Sequence, residues 1–231
     1  MVQQPVNYYL DHAVLKPELS REDAEAAIKL GIQFGVRTVC VRPSDIEVAV
    51  RLCKGSETKV CTVLAFPHGV NPTTLKALEA KTYIDLGVKE IDMVANYGWI
   101  KSGMWDEVQQ DIQAVAEIKR HRGVILKVIF ETSMLTLEEI DRTTRICVEC
   151  GADFVKTSTG FNGGGATVEA VTAMLEAAQG FIQVKASGGI RDREAVERFI
   201  AMGCTRLGVN YSSTPVICGD TGSIAADKDG Y

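Results

Sequence analysis

The amino-acid sequence predicts an α/β protein of the (β/α)8, or TIM-barrel, class, and three observations carry that reading. Eight short apolar runs rich in β-branched residues are spread along 231 residues, separated by spacers that can each hold at least one helix. Helical segments repeatedly end in glycine a few residues before the next run, as in IDLGVKEIDMV (84–94), VECGADFVKTS (148–158), AAQGFIQVKAS (177–187) and AMGCTRLGV (201–209). No GxGxxG follows the first run, which disfavours the rival open, doubly wound sheet. Alternating strands and helices imply a parallel sheet with right-handed crossovers, and eight such units close into a barrel of about 250 residues.

Taken in order, the first strand is LDHAVL (10–15), and Ser20-Arg21-Glu22-Asp23 opens the helix AEAAIKLG with a capping-box pattern. Strands RTVCVRP (37–43), KVCTVLAFP (59–67), EIDMVAN (90–96) and ILKVIFET (125–132) follow. Thr136-Leu137-Glu138-Glu139 is a second capping box, ahead of IDRTTRICVECG. DFVKTSTG (153–160) is the sixth strand; in the segment 167–178 after it, Val168, Val171, Leu175 and Ala178 recur at helical spacing and mark a sheet-facing stripe. FIQVKASGG (181–189) and TRLGVNYS (205–212) complete the set. The glycines between helix and strand suit the left-handed position at a helix end. Residues 1–231 are expected to form one domain, with a polar, mobile tail from about 220 to 231.

Composition bounds the function. Hydrophobic residues make up 46% and charged residues 24%, ordinary for a soluble globular chain. A net charge of −5 argues against a nucleic-acid partner. No run approaches the roughly 20 apolar residues of a membrane span, and MVQQPVNYYL lacks the regions of a secretory signal. Seven cysteines without framework spacing suit a reducing, cytoplasmic setting. Cys147 and Cys150 form a lone CxxC that reads as two packed thiols. The three histidines, His12, His68 and His121 (the last in the helical segment EIKRHRG), make a poor metal set, so neither metal nor cofactor is expected.

Side chains alternate faces along a strand. With Ile91, Met93, Leu126, Val128, Phe130, Val155, Ile182, Val184 and Ala186 facing the helices, Asp92, Lys127, Lys156 and Lys185 point at one axial volume. Barrel active sites are built at the C-terminal strand ends, where these residues lie. Three lysines with only Asp92, and Glu131 as a further candidate, to pair with them fit a purely structural salt bridge poorly. Crowded, desolvated lysines are expected to have depressed pKa values, and a neutral amine near pH 7 can attack a carbonyl to form a Schiff base. Gly160, Gly188, Gly189 and Gly208 are read as lying just past strand ends, where backbone N–H groups can hold a phosphate.

The stretch ADFVKTSTGFNGGGATVEAV (152–171), with LDHAVLKP, EIDMVANYGWIKSG, LKVIFETSML and VKASGGIRD in the same order, resembles the deoxyribose-phosphate aldolase family of class I aldolases over nearly the whole chain. The resemblance implies reversible cleavage of 2-deoxy-D-ribose 5-phosphate to D-glyceraldehyde 3-phosphate and acetaldehyde. It casts Lys156 as the Schiff-base nucleophile, Lys185 as the lysine that lowers its pKa and Asp92 as a proton relay. It further implies Lys127 as support for Asp92 and substrate hydroxyls, Asp11 with Lys16 as a polar part of the pocket, Thr159 as a contact for a substrate hydroxyl, and Cys40 near the pocket. Gly160, Gly188, Gly189 and Gly208 become the phosphate cradle. Small-molecule aldehydes and sugar phosphates would be the partners, and a homo-oligomer, dimer or tetramer, is compatible with the family.

Two departures stand out. Where the family commonly has Gly-x-Ser-Ser-Gly after the last strand, this chain reads RLGVNYSSTPVICG, which makes Asn210, Ser212 and Ser213 the candidates for the missing donor. Ala13 stands where the family usually has threonine. The altered loop keeps open a related Schiff-base aldolase acting on another sugar phosphate or on an unphosphorylated aldehyde. Tyr231 at the tail's end is a candidate visitor to the site, as in some family members.

Overall fold

The computed structural model describes residues 4–219. Eight parallel strands close into a barrel in chain order: β1 (Leu10–Val14), β2 (Thr38–Val41), β3 (Lys59–Leu64), β4 (Glu90–Val94), β5 (Ile125–Ile129), β6 (Phe154–Lys156), β7 (Gln183–Ser187) and β8 (Arg206–Asn210). The ring shuts where β8 pairs with β1, Gly208 beside Asp11. Around it lie α1 (Arg21–Gln33), α2 (Ile46–Cys53), α3 (Thr73–Asp85), α4 (Tyr97–Lys101), α5 (Trp105–Lys119), α6 (Leu137–Cys150), α7 (Val168–Ala178), α8 (Arg193–Met202) and α9 (Thr214–Ile217). Among the described residues no helix is long and apolar enough to cross a membrane.

All eight expected strands are present, and every one stops short of its expected C-terminal end. The sixth shrinks most, to Phe154–Lys156, and beyond it Thr159 uses its own hydroxyl to accept the Phe161 N–H at 3.0 Å. Such local side-chain bonds compete with strand pairing and turn the chain into a loop. The helix starts differ in detail from expectation. Thr136 and Glu139 make a complete capping box at α6. At α1, Ser20 accepts the Asp23 N–H at 3.1 Å, but the Asp23 carboxylate takes the Ser20 hydroxyl hydrogen instead of a backbone donor. Aspartate is one methylene shorter than glutamate, and only half a box forms. The buried stripe of α7 is also rotated: Ala170, Val171, Met174, Ala177 and Ala178 face inward, whereas Val168 is exposed. His121 lies beyond α5 in a turn with φ 62°, not in the helix.

Two apolar clusters result from strand alternation. Outward-facing Ile91, Met93, Leu126, Val128, Val155, Val184 and Ala186 are buried against the helices in the main core, where Cys147 and Cys150 are packed as free thiols. Each buried Val or Leu contributes roughly 1.5–3 kcal/mol. Inside the ring, a smaller cluster of Ala13, Leu15, Cys40, Cys61 and Val63 fills the β1–β3 side. The other side of the barrel interior is polar.

Two buried polar contacts tie helices to the barrel. Lys76 of α3 donates to Asp111 of α5 at 2.5 Å and to the Val94 carbonyl at the end of β4 at 3.1 Å. His12, on the outer face of β1, donates from Nε2 to the Ala27 carbonyl of α1 (2.9 Å), while Nδ1 accepts from the Thr214 hydroxyl at the start of α9 (2.7 Å). Burial pushes its pKa down to about 4, so the ring is neutral near pH 7.

Candidate active site

The polar side of the barrel interior holds a continuous set of ion pairs, built from inward positions on six strands. Asp92 of β4 is its hub. Its Oδ1 accepts from Lys127 Nζ of β5 at 2.8 Å, and its Oδ2 accepts from Lys156 Nζ of β6 and Lys185 Nζ of β7, each at 2.8 Å. Asp11 of β1 pairs with Lys185 and with Lys127 (3.1 Å) through Oδ2, and takes Arg206 of β8 (2.6 Å) and the Thr38 hydroxyl (2.6 Å) through Oδ1. Glu90 of β4 closes the floor by pairing with Lys127 and Arg206, both at 2.6 Å. All seven charged groups are buried.

Four cations (Lys127, Lys156, Lys185, Arg206) therefore share three carboxylates (Asp11, Glu90, Asp92). The lysines are not held equally. Lys127 touches three carboxylates, Lys185 two and Lys156 only Asp92. Burial alone would raise the carboxylate pKa of Asp92, yet Lys127, Lys156 and Lys185 hold it well below the usual range. Asp11 is likewise lowered against its burial, chiefly by Arg206 and then by Lys127 and Lys185. Burial pushes Lys127 down, but Asp11 and Asp92 carry it well above the ordinary lysine value.

The loops above this floor are mutually braced. Glu131, past β5, is buried with φ 59°, and accepts from the Thr159 hydroxyl, the Thr159 N–H (3.3 Å) and Asn162 Nδ2 (2.8 Å). The β6 loop then lies on the β7 loop, with the Ala166 N–H donating to the Gly188 carbonyl at 3.1 Å. A Cβ at Gly165 would stand 2.6 Å from that same carbonyl oxygen, so the glycine run allows the two loops to touch.

Residues 6–211 match the family model for DeoC/LacD family aldolase. The chain belongs to that family. It is 43% identical over 218 residues to the deoxyribose-phosphate aldolase of Streptococcus gordonii, covering 94% of this chain and 98% of that protein. It is 44% identical over 208 residues to the Histophilus somni enzyme of the same name, covering 90% and 92%. Among solved structures, the aldolase QR15 superposes with a TM-score of 0.86 at 38% identity, covering 94% of this chain and 95% of that one. A tetrameric deoxyribose phosphate aldolase from Aeropyrum pernix gives 0.84 at 26% identity, covering 92% and 89%.

Within this DeoC/LacD aldolase, Asp92, Lys127, Lys156, Lys185 and Asp11 come together as one group, and other expectations change. Glu131 serves loop donors, because its left-handed backbone turns it towards the β6 loop and away from the lysines. Lys156 is raised above the ordinary lysine value, against expectation: burial pushes it down, and the charge of Asp92 more than offsets this. The Thr159 hydroxyl donates to Glu131 and accepts from Phe161, so its hydrogen is already committed. Gly208 lies within β8, not past its end; a Cβ there would collide with Ser187 Oγ and stand 3.3 Å from Lys185 Cε. Gly160, Gly188 and Gly189 do follow their strands, as read. Asn210 accepts both the Ser212 N–H and the Ser212 hydroxyl at 3.0 Å, turning both donors inward to the loop, next to Ser213. Lys16 sits half-buried just past β1, its carbonyl accepting from Arg42 at 3.0 Å. Tyr231 lies outside the described residues.

Cys40 is buried inside the barrel, in register with Cys61 on the next strand. One ligand-capable atom each of Cys40, Cys61 and Asp92 lie within 4.8 Å of one another. Three ammonium groups already occupy the Asp92 oxygens and oppose a cation there. Burial also pushes the Cys61 thiol well up, against the thiolate a metal needs. The sequence reading missed Glu90, Arg206, Thr38 and Cys61. Glu90 stands two residues before Asp92, and Arg206 two before Gly208, so the alternation that found Asp92 extends to both.

Proposed function

We propose that this DeoC/LacD aldolase cleaves 2-deoxy-D-ribose 5-phosphate reversibly to acetaldehyde and D-glyceraldehyde 3-phosphate, with Lys156 as the Schiff-base nucleophile. The observation that carries the assignment is the unequal anchoring of the lysines around Asp92. The cluster holds one cation more than it has carboxylates, and loss of a single proton balances it. Lys156, with one carboxylate partner, is the lysine that gives up its proton at least electrostatic cost.

The steps follow from that geometry. Lys156 gives up its proton to solvent, and the freed amine beside Asp92 adds to the C1 aldehyde. Water is lost and an iminium forms, whose positive charge replaces the ammonium beside Asp92. The C2–C3 bond breaks with its electrons drawn into the iminium; the C3 hydroxyl gives up its proton to the Asp92–Lys185 pair and becomes the aldehyde of glyceraldehyde 3-phosphate. The remaining enamine is protonated at C2 through the Asp92–Lys185 pair, and hydrolysis releases acetaldehyde and restores Lys156. Lys127, held by three carboxylates, fixes Asp92 in place. The turns at Gly160 and Gly188–Gly189 offer backbone N–H groups to the phosphate.

One observation favours a second reading, an acceptor without phosphate: Asn210 occupies the donors of Ser212. Two measurements address these readings. Borohydride reduction in acetaldehyde is expected to leave N-ethyl-lysine at position 156, and Lys156→Ala is expected to abolish both labelling and cleavage. Labelling elsewhere would remove Lys156 from its role. Turnover of 2-deoxyribose 5-phosphate against 2-deoxyribose, measured on the same protein, separates the two acceptor readings.

A cytoplasmic setting fits seven free cysteines, and cell fractionation tests it. The tetrameric structure of the Aeropyrum relative makes a homo-oligomer the reading to test by light scattering.

A further inference from the structure

Among the described residues, the hydroxyl of Ser187 is the buried side-chain polar atom with no hydrogen-bond partner. Buried hydroxyls are ordinarily satisfied, and one that no protein group reaches calls for an explanation. Ser187 is fully buried at the C-terminal end of β7. It stands two residues after Lys185 and therefore on the same, inward face of the strand. Its partner in register on β8 is Gly208. The hydroxyl leans into the space that a Gly208 side chain would fill, next to the Lys185 stem. Glycine on the facing strand thus both makes room for the hydroxyl and leaves it without a side-chain partner.

We propose that Ser187 is a specificity-determining residue that hydrogen-bonds the acceptor hydroxyl next to the reacting carbonyl, which is the C4 hydroxyl of the sugar phosphate. The inference rests on the reading of Lys156 as nucleophile and of the 188–189 turn as the phosphate site. A substrate joined to Lys156 at C1, with its phosphate at that turn, runs past Ser187 on the way. The C3 oxygen, which changes its proton during reaction, belongs near the Asp92–Lys185 pair. Ser187 lies further towards the strand end, directly before Gly188, and so meets the next hydroxyl along the chain.

The test compares addition of acetaldehyde to D-glyceraldehyde 3-phosphate and to 3-oxopropyl phosphate, the same acceptor without that hydroxyl. Wild-type protein is expected to prefer the hydroxylated acceptor in kcat/KM, and Ser187→Ala to lower that preference about tenfold, the effect of one hydrogen bond. Because the readout is a ratio on one protein, partial loss of folded material cancels. Ser187→Cys, similar in size but a weak donor, is expected to behave like the alanine variant. An unchanged ratio in Ser187→Ala overturns the proposal, as does a cysteine variant that keeps the full preference, since packing would then explain the effect. Wild-type protein that neither traps acetaldehyde on Lys156 nor uses either acceptor would overturn the underlying reading instead, a result distinct from an active variant with an unchanged ratio.

Discussion

One carboxylate serving three ammonium groups makes Asp92 the residue on which the site's protonation turns. Its charge holds Lys156 above the ordinary lysine value, where burial alone would push it below. The neutral amine therefore becomes more abundant as pH rises, and the rate of acetaldehyde trapping is expected to climb with pH. Asp92→Asn removes the opposing charge and leaves the burial. In that variant the midpoint of the trapping profile is expected to move to lower pH, while aldol turnover falls about 100-fold or more with the relay gone. A midpoint that stays put, or moves up, would mean Asp92 does not set the ionisation of Lys156. The sequence disclosed the inward lysines through simple alternation, but the sign of the Lys156 shift was not legible there. It depends on how many carboxylates reach each ammonium, and two of those, Asp11 and Glu90, come from the deeper half of their strands.

At the scale of elements, α3 and α5 are joined by Lys76 and Asp111, away from the lysine cluster. Burial pulls both groups towards neutrality, lowering Lys76 and raising Asp111, each opposed by the charge of the other. Asp111→Ala would leave a buried ammonium with only the Val94 carbonyl, and is expected to cost about 3–5 kcal/mol in urea unfolding. Replacing both partners by leucine or methionine is expected to recover most of it; a single variant as stable as wild type would show that water reaches Lys76 freely. Helix positions were readable from their caps and terminal glycines. The face that α7 buries was not, because Val168 satisfies the helical period yet falls in the first turn, ahead of the sheet it was expected to cover. The loops were least legible. Thr159 reads as a free hydroxyl until Glu131, 28 residues earlier, is seen to accept from it.

For the molecule as a whole, acid is expected to remove stability in two stages. His12 has a folded pKa of about 4 against an ordinary 6.5, so the unfolded chain binds the proton more readily. Stability is complete above pH 6.5 and falls as pH drops to about 4, by on the order of 3 kcal/mol. Asp11 and Asp92 have folded pKa values below the unfolded carboxylate range, and their contribution is lost only below about pH 4. Denaturant titrations across this range would reveal the first stage, and His12→Asn should erase it; a flat response between pH 6.5 and 4.5 would contradict it. The barrel itself was legible because eight strand periods and their spacers leave few other ways to close.

The ring of strands also dictates when the site can exist. Asp11 lies on the first strand, yet its partners Lys185 and Arg206 follow 174 and 195 residues later, on the last two. A chain emerging from the ribosome carries Asp92 and Lys156 long before Arg206 is made. Until β8 closes against β1, Asp11 has not reached the partners that complete the floor. The ion-pair floor is thus complete only once β8 has been made, and a product stalled before that point carries Lys127, Lys156 and Lys185 without Arg206 beside Asp11.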